Sequence, residues 1–143
     1  MDENIPFYKE KISYLKELGI DFVLNTDSGV PFYRQIIQMV EYNIAIGKLK
    51  SGDKLPTIRS FAIQLKINPN TIAKAYTELE LKGFVKTHVG SGTFISNKKI
   101  DLTEVELKQK IDILCAEFLN KANALGISKK EIINTLKEFK TEE

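Results

Sequence analysis

The chain has 143 residues, enough for one small domain or for one domain with an appendage. Hydrophobic residues make up 43% and charged residues 28%, as in soluble globular proteins. It has no apolar run near the ~18 residues of a membrane helix, no signal-like start and one cysteine, Cys115, which excludes an internal disulfide. We therefore expect a cytoplasmic protein.

The net charge of +2 is unevenly distributed. Residues 1–30 carry three Lys against six Asp and Glu, residues 31–96 carry nine Lys and Arg against four Asp and Glu, and residues 97–143 carry nine of each sign. An excess of positive charge in the middle third is a mild signature of nucleic-acid binding, although many enzymes have basic segments of this size.

The first 30 residues are predicted to form an N-terminal extension. Apolar residues recur at helical spacing over 7–19, and Gly19 is a suitable stop. Residues 22–24 are predicted to be extended, and residues 25–29 to form a turn.

Three amphipathic helices are predicted between residues 31 and 83. Their apolar residues recur at steps of three and four, and Phe61, Leu65 and Tyr76 are expected in the core. Caps and stops mark their ends: Pro31 and Gly47, Thr57, and Asn68-Pro69 with Gly83. Only residues 66–68 separate the second helix from the third, which indicates a tight turn between them.

Two β-prone runs, 84–88 and 93–96, follow the third helix. The intervening Val89-Gly90-Ser91-Gly92 predicts a hairpin turn. Helix, short turn, helix and hairpin is the order of a winged helix-turn-helix, predicted here for residues 31–97. In that fold a helix of ~10–12 Å diameter enters the major groove, which is ~12 Å wide.

Four motifs in this region resemble those of the GntR family of bacterial transcription regulators. They are Leu55-Pro56-Thr57-Ile58-Arg59-Ser60-Phe61-Ala62, Asn68-Pro69-Asn70-Thr71-Ile72-Ala73-Lys74-Ala75-Tyr76, Leu79-Glu80-Leu81-Lys82-Gly83-Phe84-Val85 and Gly90-Ser91-Gly92-Thr93-Phe94-Ile95. The second is similar to the recognition helix of the small YtrA-like branch. The resemblance implies a regulator, expected to be a repressor, that binds double-stranded operator DNA.

The resemblance also implies which residues meet DNA. Arg59 corresponds to the family arginine that holds a phosphate, and Asn70 and Thr71 are expected near base edges or phosphate. The remaining candidates are Asn68, Lys74, Gly90, Ser91 and Thr93. Asn68 is equally suited to be a helix cap with no DNA contact.

Two departures from the family pattern affect these expectations. Lys66 stands where the family commonly has glycine after the second helix, so we expect that turn either to differ from the family's or to carry some strain. Pro69 and Ala73 stand where some relatives have arginine, so the base-reading pattern of those relatives does not transfer.

Residues 98–143 are predicted to form two helices. Thr103 with Glu106 and Ser128 with Glu131 have the spacing of capping boxes. A long apolar stripe lies between them: Leu107, Ile111, Leu114, Phe118, Ala122 and Leu125. Asp112 and Glu117 are interpreted as solvated charges and Cys115 as a structural thiol.

This C-terminal segment is expected to pair two copies of the chain through residues 101–140. Two helices are too small to enclose a metabolite pocket of ~300 Å³ or more, and little of the chain is left to cover the apolar stripe. YtrA-like regulators dimerise through such a tail, and a two-fold dimer implies an inverted-repeat operator. The fold class is thus mainly α with a small β-hairpin, a winged helix-turn-helix followed by a two-helix dimerisation tail.

The sequence is less consistent with two other classes of function. A winged-helix protein-interaction module would lack a basic cluster on one face, whereas this chain has Arg59, Lys66, Lys74 and Lys86. An enzyme is disfavoured because no paired carboxylates, activated nucleophile or phosphate-binding loop is present. His88 and Cys115 alone cannot form a usual zinc site, so neither cofactor nor metal is expected, and any effector is unknown.

Overall fold

The structure is a computed structural model that describes Leu15 and residues 18–140. Within them the chain forms five helices and one two-stranded sheet: α1 Phe32–Ala45, α2 Ile58–Leu65, α3 Pro69–Leu81, β1 Val85–His88, β2 Gly92–Ile95, α4 Leu102–Ala124 and α5 Lys129–Glu138. This order confirms the predicted fold class as mainly α with a small β-hairpin and a helical C-terminal region. Most of the helix predicted over 7–19 lies outside the described residues, and residues 22–24 belong to no helix or strand.

The core lies where α3 packs against both α1 and α2. Its fully buried side chains come from all three helices: Ile36, Val40, Phe61, Ile72 and Leu79. The predicted core residues Phe61 and Tyr76 are buried, and Leu65 is half-buried against the same cluster. The Tyr76 hydroxyl donates to the backbone oxygen of Pro56 at 2.8 Å, which satisfies its only polar group.

Side-chain caps begin α2 and α3 as the sequence predicts. The hydroxyl of Thr57 accepts a hydrogen bond from the Ser60 backbone N–H, and the Asn68 side chain accepts one from Asn70 N–H. Pro69 occupies the first helical position of α3, where its missing N–H costs nothing. The Asn68 cap lies at the end of the short turn where α3 begins, and the Thr57 cap lies at the opposite end of α2.

The turn between α2 and α3 contains the strained residue expected from the sequence. Lys66 is the C-cap of α2 and has φ +58°, the one non-glycine residue with positive φ in the described part of the chain. The next residue, Ile67, donates its N–H to the Ala62 oxygen at 3.1 Å and closes the helix. A left-handed lysine therefore ends α2 with the backbone conformation that glycine most often supplies at a helix C-terminus.

The hairpin is anchored to the loop that precedes α2. Strands β1 and β2 pair antiparallel, with Val85 opposite Ile95 and His88 opposite Gly92. Residues 52–55 add a third, shorter edge, because Ile95 N–H donates to the Asp53 oxygen at 2.8 Å, Gly52 N–H donates to the Ile95 oxygen at 2.8 Å, and Leu55 N–H donates to the Thr93 oxygen at 2.9 Å. The hairpin is thus tied to the segment that leads directly into α2.

The C-terminal helices differ from the prediction at one cap. The N-cap of α4 is Asp101, whose carboxylate accepts the Thr103 N–H at 2.8 Å, so the capping box predicted for Thr103 and Glu106 is wrong. Asp101 lies two residues before Thr103 and is the N-cap, so Thr103 is already inside the helix. The capping box of Ser128 and Glu131 is confirmed at the start of α5. Helix α4 packs on α1.

None of the described helices is long and apolar enough to cross a membrane.

Candidate nucleic-acid interface

The start of α3 presents polar side chains to solvent while its other face is buried. Asn68, Asn70 and Lys74 are exposed, and Thr71 is half-buried. On the opposite face Ile72, Ala75, Tyr76 and Leu79 are buried. The helix is therefore held firmly from behind and projects the predicted recognition residues outwards.

The N-terminus of α3 carries a partial positive charge that faces solvent. Asn68 is a helix cap here, since its Oδ1 accepts the Asn70 N–H at 2.8 Å and its backbone oxygen accepts the Thr71 N–H at 3.0 Å. Its side-chain oxygen is thus engaged within the protein. The Asn70 side chain has no hydrogen bond among the described residues, so it is free to pair with a ligand.

Lys74 contacts an aromatic ring that the sequence analysis did not single out. Its ammonium lies 3.9 Å from the centroid of Tyr33 on α1. This cation–π contact holds the side chain against the body of the protein while leaving Lys74 exposed. Nothing in the sequence indicates that Lys74 and Tyr33, which are 41 residues apart, contact each other.

Arg59 lies in the first turn of α2 and is exposed. Within the described part of the chain it forms no ion pair with an acidic residue, which leaves its guanidinium available to an external anion. Its position directly after the capped start at Thr57 places it beside the positive end of the α2 dipole.

The hairpin tip is formed by Val89, Gly90 and Ser91. The Ser91 N–H donates to the His88 oxygen at 2.9 Å, and Gly90 has φ +82°, as the third residue of a type II turn requires. Gly90 and Ser91 are exposed, with nothing within 4 Å of a Cβ added at Gly90. The tip therefore has room for close approach of a partner.

Thr93 is placed differently from the other predicted contacts. It is half-buried in β2, and its hydroxyl lies 3.3 Å from that of Thr87 on the facing strand. Thr87 in turn donates to Glu80 at 3.2 Å. This chain of contacts links the hairpin to α3, so Thr93 has a structural role that its sequence position did not reveal.

Two interpretations on α4 are wrong. Asp112 is not a solvated charge, because it accepts from Arg34 Nη2 at 2.8 Å and Nε at 3.1 Å and from the Gln38 amide. The hydrogen bond to Asp112 raises the pKa of Arg34 above its already high usual value. Cys115 is exposed rather than a buried structural thiol, although Glu117 is exposed as predicted.

An open cleft of about 400 Å³ lies between residues 19–30, α1 and α4. Its walls include Gln35, whose amide already bonds Asn25 and Val30, and Lys48, which donates to Gly19. The two C-terminal helices do not enclose it by themselves, since α4 supplies only Gln109 and Ile113. Among the described residues no group of His, Cys, Asp or Glu has a metal-binding arrangement.

The chain is similar to known bacterial regulators that contain a helix-turn-helix. A family model described as "Bacterial regulatory proteins, gntR family" matches residues 32–95. The chain is 39% identical over 112 residues to YhcF, an uncharacterized HTH-type transcriptional regulator of Bacillus subtilis, covering 78% of this chain and 92% of YhcF. It is 37% identical over 113 residues to the HTH-type transcriptional repressor YtrA of the same organism, covering 78% and 86%.

The chain is also similar to a solved structure. The crystal structure of a transcriptional antiterminator from Listeria monocytogenes EGD-e matches with a TM-score of 0.54 and 36% identity, covering 83% of this chain and 89% of that chain. Two helices joined by a three-residue turn and followed by a hairpin define a winged helix-turn-helix protein. The chain belongs to the GntR family of bacterial regulatory proteins, and YhcF and YtrA place it beside the YtrA-like members.

Proposed function

We propose that the chain is a homodimeric transcription repressor that binds an inverted-repeat operator, without any catalytic step. The observation that carries this proposal is the polar, solvent-facing start of α3 on a helix whose opposite face is fully buried. A rigidly held helix of this kind fits the major groove end first. Its relative YtrA is a repressor by name, which supports the same mode of action.

Each predicted DNA contact has its own role in this proposal. Arg59 binds a phosphate, Asn70 and Thr71 approach base edges or phosphate, and Lys74 lies near the backbone. The hairpin tip, with Gly90 and Ser91, lies against the neighbouring phosphates or groove. Asn68 serves chiefly as the α3 cap and Thr93 as a link within the hairpin, so their contribution to DNA binding is mainly indirect.

Residues 31–97 then form the DNA-binding domain, residues 98–143 the dimerisation segment and residues 1–30 an extension. Support for the dimer comes from the apolar side chains that α4 and α5 leave exposed: Leu107, Ile111, Leu114, Phe118, Leu125, Ile133, Leu136 and Phe139. A patch of this extent is unfavourable in water unless another surface covers it, and a second copy presents the same helices. We place the protein in the cytoplasm, with access to the chromosome.

The test compares two variants with different expected effects. Duplexes selected by the wild-type protein from a randomised library serve as probes in fluorescence anisotropy. Arg59→Ala should weaken binding to all duplexes by a similar factor, because a phosphate contact carries no sequence information. Asn70→Ala should cost about 1–3 kcal/mol on the selected duplex and relax base preference at one position.

The exposed Asn123 on α4 offers a matched control, since Asn123→Ala removes the same group away from α3. The control should bind like wild type. If Arg59→Ala and Asn70→Ala also bind like wild type, the contact assignment is wrong. Failure of the wild-type protein to bind any duplex would instead favour a winged-helix protein-interaction module.

A further inference from the structure

Charged side chains from three helices meet at one buried carboxylate. Glu41 of α1 has 1% of its side chain exposed, and its Oε2 lies 3.5 Å from Nζ of Lys82 and 3.7 Å from Nζ of Lys108. Lys82 is the C-cap of α3, and Lys108 lies on α4. One carboxylate of α1 therefore contacts both the recognition helix and the first C-terminal helix.

A second ion pair lies further along the same two helices. Arg34 of α1 binds Asp112 of α4 through two N–H···O bonds of 2.8 and 3.1 Å. Positions 34 and 41 are seven residues apart and positions 108 and 112 are four apart, so each pair shares one face of its helix. The helices run antiparallel here, with Glu41 against Lys108 and Arg34 against Asp112.

The order of these charges specifies one register of α4 on α1. A shift of α4 by one helical turn, about 5.4 Å, in one direction would bring Lys108 opposite Arg34. A shift in the other direction would bring Asp112 opposite Glu41. Both alternatives place like charges together and take from the buried Glu41 one of its two cations, so both are disfavoured.

The ion pairs of Glu41 with Lys82 and Lys108 are expected to contribute little net stability. Burying Glu41 removes a carboxylate from water, and its Oε2 has no hydrogen bond within the described residues to offset this. A well-packed apolar side chain at such a site is often as stabilising as an ion pair. Unlike an apolar contact, however, paired charges penalise the alternative registers.

We infer that Glu41, with Lys82 and Lys108, is a positioning residue that sets the half-site spacing the dimer accepts; the inference rests on the proposed function. If two copies are joined through α4, the position of each α3 depends on how α4 is held to α1. Each added base pair moves a half-site by about 3.4 Å and rotates it by about 35° around the duplex. A fixed register therefore favours one spacer length over its neighbours.

The experiment measures spacing preference in the full chain. Half-sites selected by the wild-type protein from a randomised duplex library are placed in inverted orientation, and the spacer is changed one base pair at a time. The test variant is Lys82→Gln with Lys108→Gln; because this leaves the buried Glu41 carboxylate without a cation, urea denaturation first checks that the variant is folded under the binding conditions. Lys99→Gln with Lys110→Gln removes the same charge from exposed positions and is the control.

In the test variant, the ratio of affinities for the best spacer and for the spacer one base pair longer should fall by at least about threefold relative to the control. Sedimentation should show the same dimer for both proteins. A role in stability alone would lower the active fraction equally for every spacer, which leaves that ratio unchanged. Glu41→Gln removes the buried charge itself and leaves two partly exposed lysines, so it should relax the ratio in the same way and decides the question if the lysine variant does not fold.

Two failures can be told apart. If wild type selects an inverted repeat with a strict spacer but the test variant keeps the same ratio, the inference about Glu41 is overturned and the proposed function stands. If the wild-type protein binds no duplex, or binds single half-sites as a monomer, the proposed function is wrong. The inference about Glu41 is then wrong as well, because it rests on that function.

Discussion

The ammonium of Lys74 on α3 lies 3.9 Å over the ring of Tyr33 on α1. The contact orients a basic side chain of the recognition helix before any DNA arrives. Because a flexible lysine loses rotamer freedom when it binds a phosphate, holding it beforehand reduces that loss.

Replacing the ring should therefore weaken DNA binding. Tyr33→Leu should lower affinity by about 0.5–1 kcal/mol, the size of an exposed cation–π contact, whereas Tyr33→Phe keeps the ring and should bind like wild type. Fluorescence anisotropy on a selected duplex measures both. Equal affinities for the Leu and Phe variants would show that the ring does not orient Lys74.

The left-handed Lys66 leads to a prediction about stability. Lys66→Gly should raise the free energy of unfolding by about 1 kcal/mol, since glycine adopts φ +58° without the clash of a Cβ. Lys66→Ala removes the same charge and side chain but keeps the Cβ, so it should stay near wild type. Urea denaturation compares the three proteins, and an Ala variant as stable as the Gly variant would rule out backbone strain.

The elements of this fold were predictable because local rules decide them. Thr57, Asn68 and Ser128 are helix caps in the sequence and in the structure, and the glycines of the hairpin mark its turn. The strain at Lys66 was also foreseen, from a departure at one motif position. Such features depend on a few neighbouring residues, which a sequence displays directly.

Contacts between distant segments were not predictable in the same way. Asp112 and Glu117 look alike on α4, yet the first bonds Arg34, which is 78 residues away, and the second is exposed. The Lys74–Tyr33 contact and the buried Glu41 were missed for the same reason. At the cap of α4, two acceptable N-caps lay two residues apart, and the choice of Asp101 over Thr103 needed the structure.

That difference between two acidic residues is itself testable. Asp112→Ala should lower the free energy of unfolding by about 1 kcal/mol, a value reduced for solvent screening because 43% of the Arg34 side chain is exposed. Glu117→Ala, on the same helix, should change it little. Equal effects of the two substitutions in urea denaturation would contradict the role given to Asp112.

The exposed stripe of α4 predicts the oligomeric state. Leu114 is 65% exposed in the single chain, so Leu114→Glu should leave the fold intact and dissociate the proposed dimer by placing a charge in the proposed interface. Glu106→Lys, at an exposed position of the same helix, should remain dimeric. Sedimentation velocity gives the masses, and a wild-type protein that is monomeric at all concentrations would contradict the assignment.

In the proposed function, a dimer binds DNA largely through phosphates around α3 and the hairpin. The most direct test is a salt titration of wild-type binding to a selected duplex. If a dimer makes about 10 phosphate contacts, the logarithm of affinity should fall against the logarithm of salt concentration with a slope of about −9. A slope near zero, with binding unaffected by salt, would contradict the account.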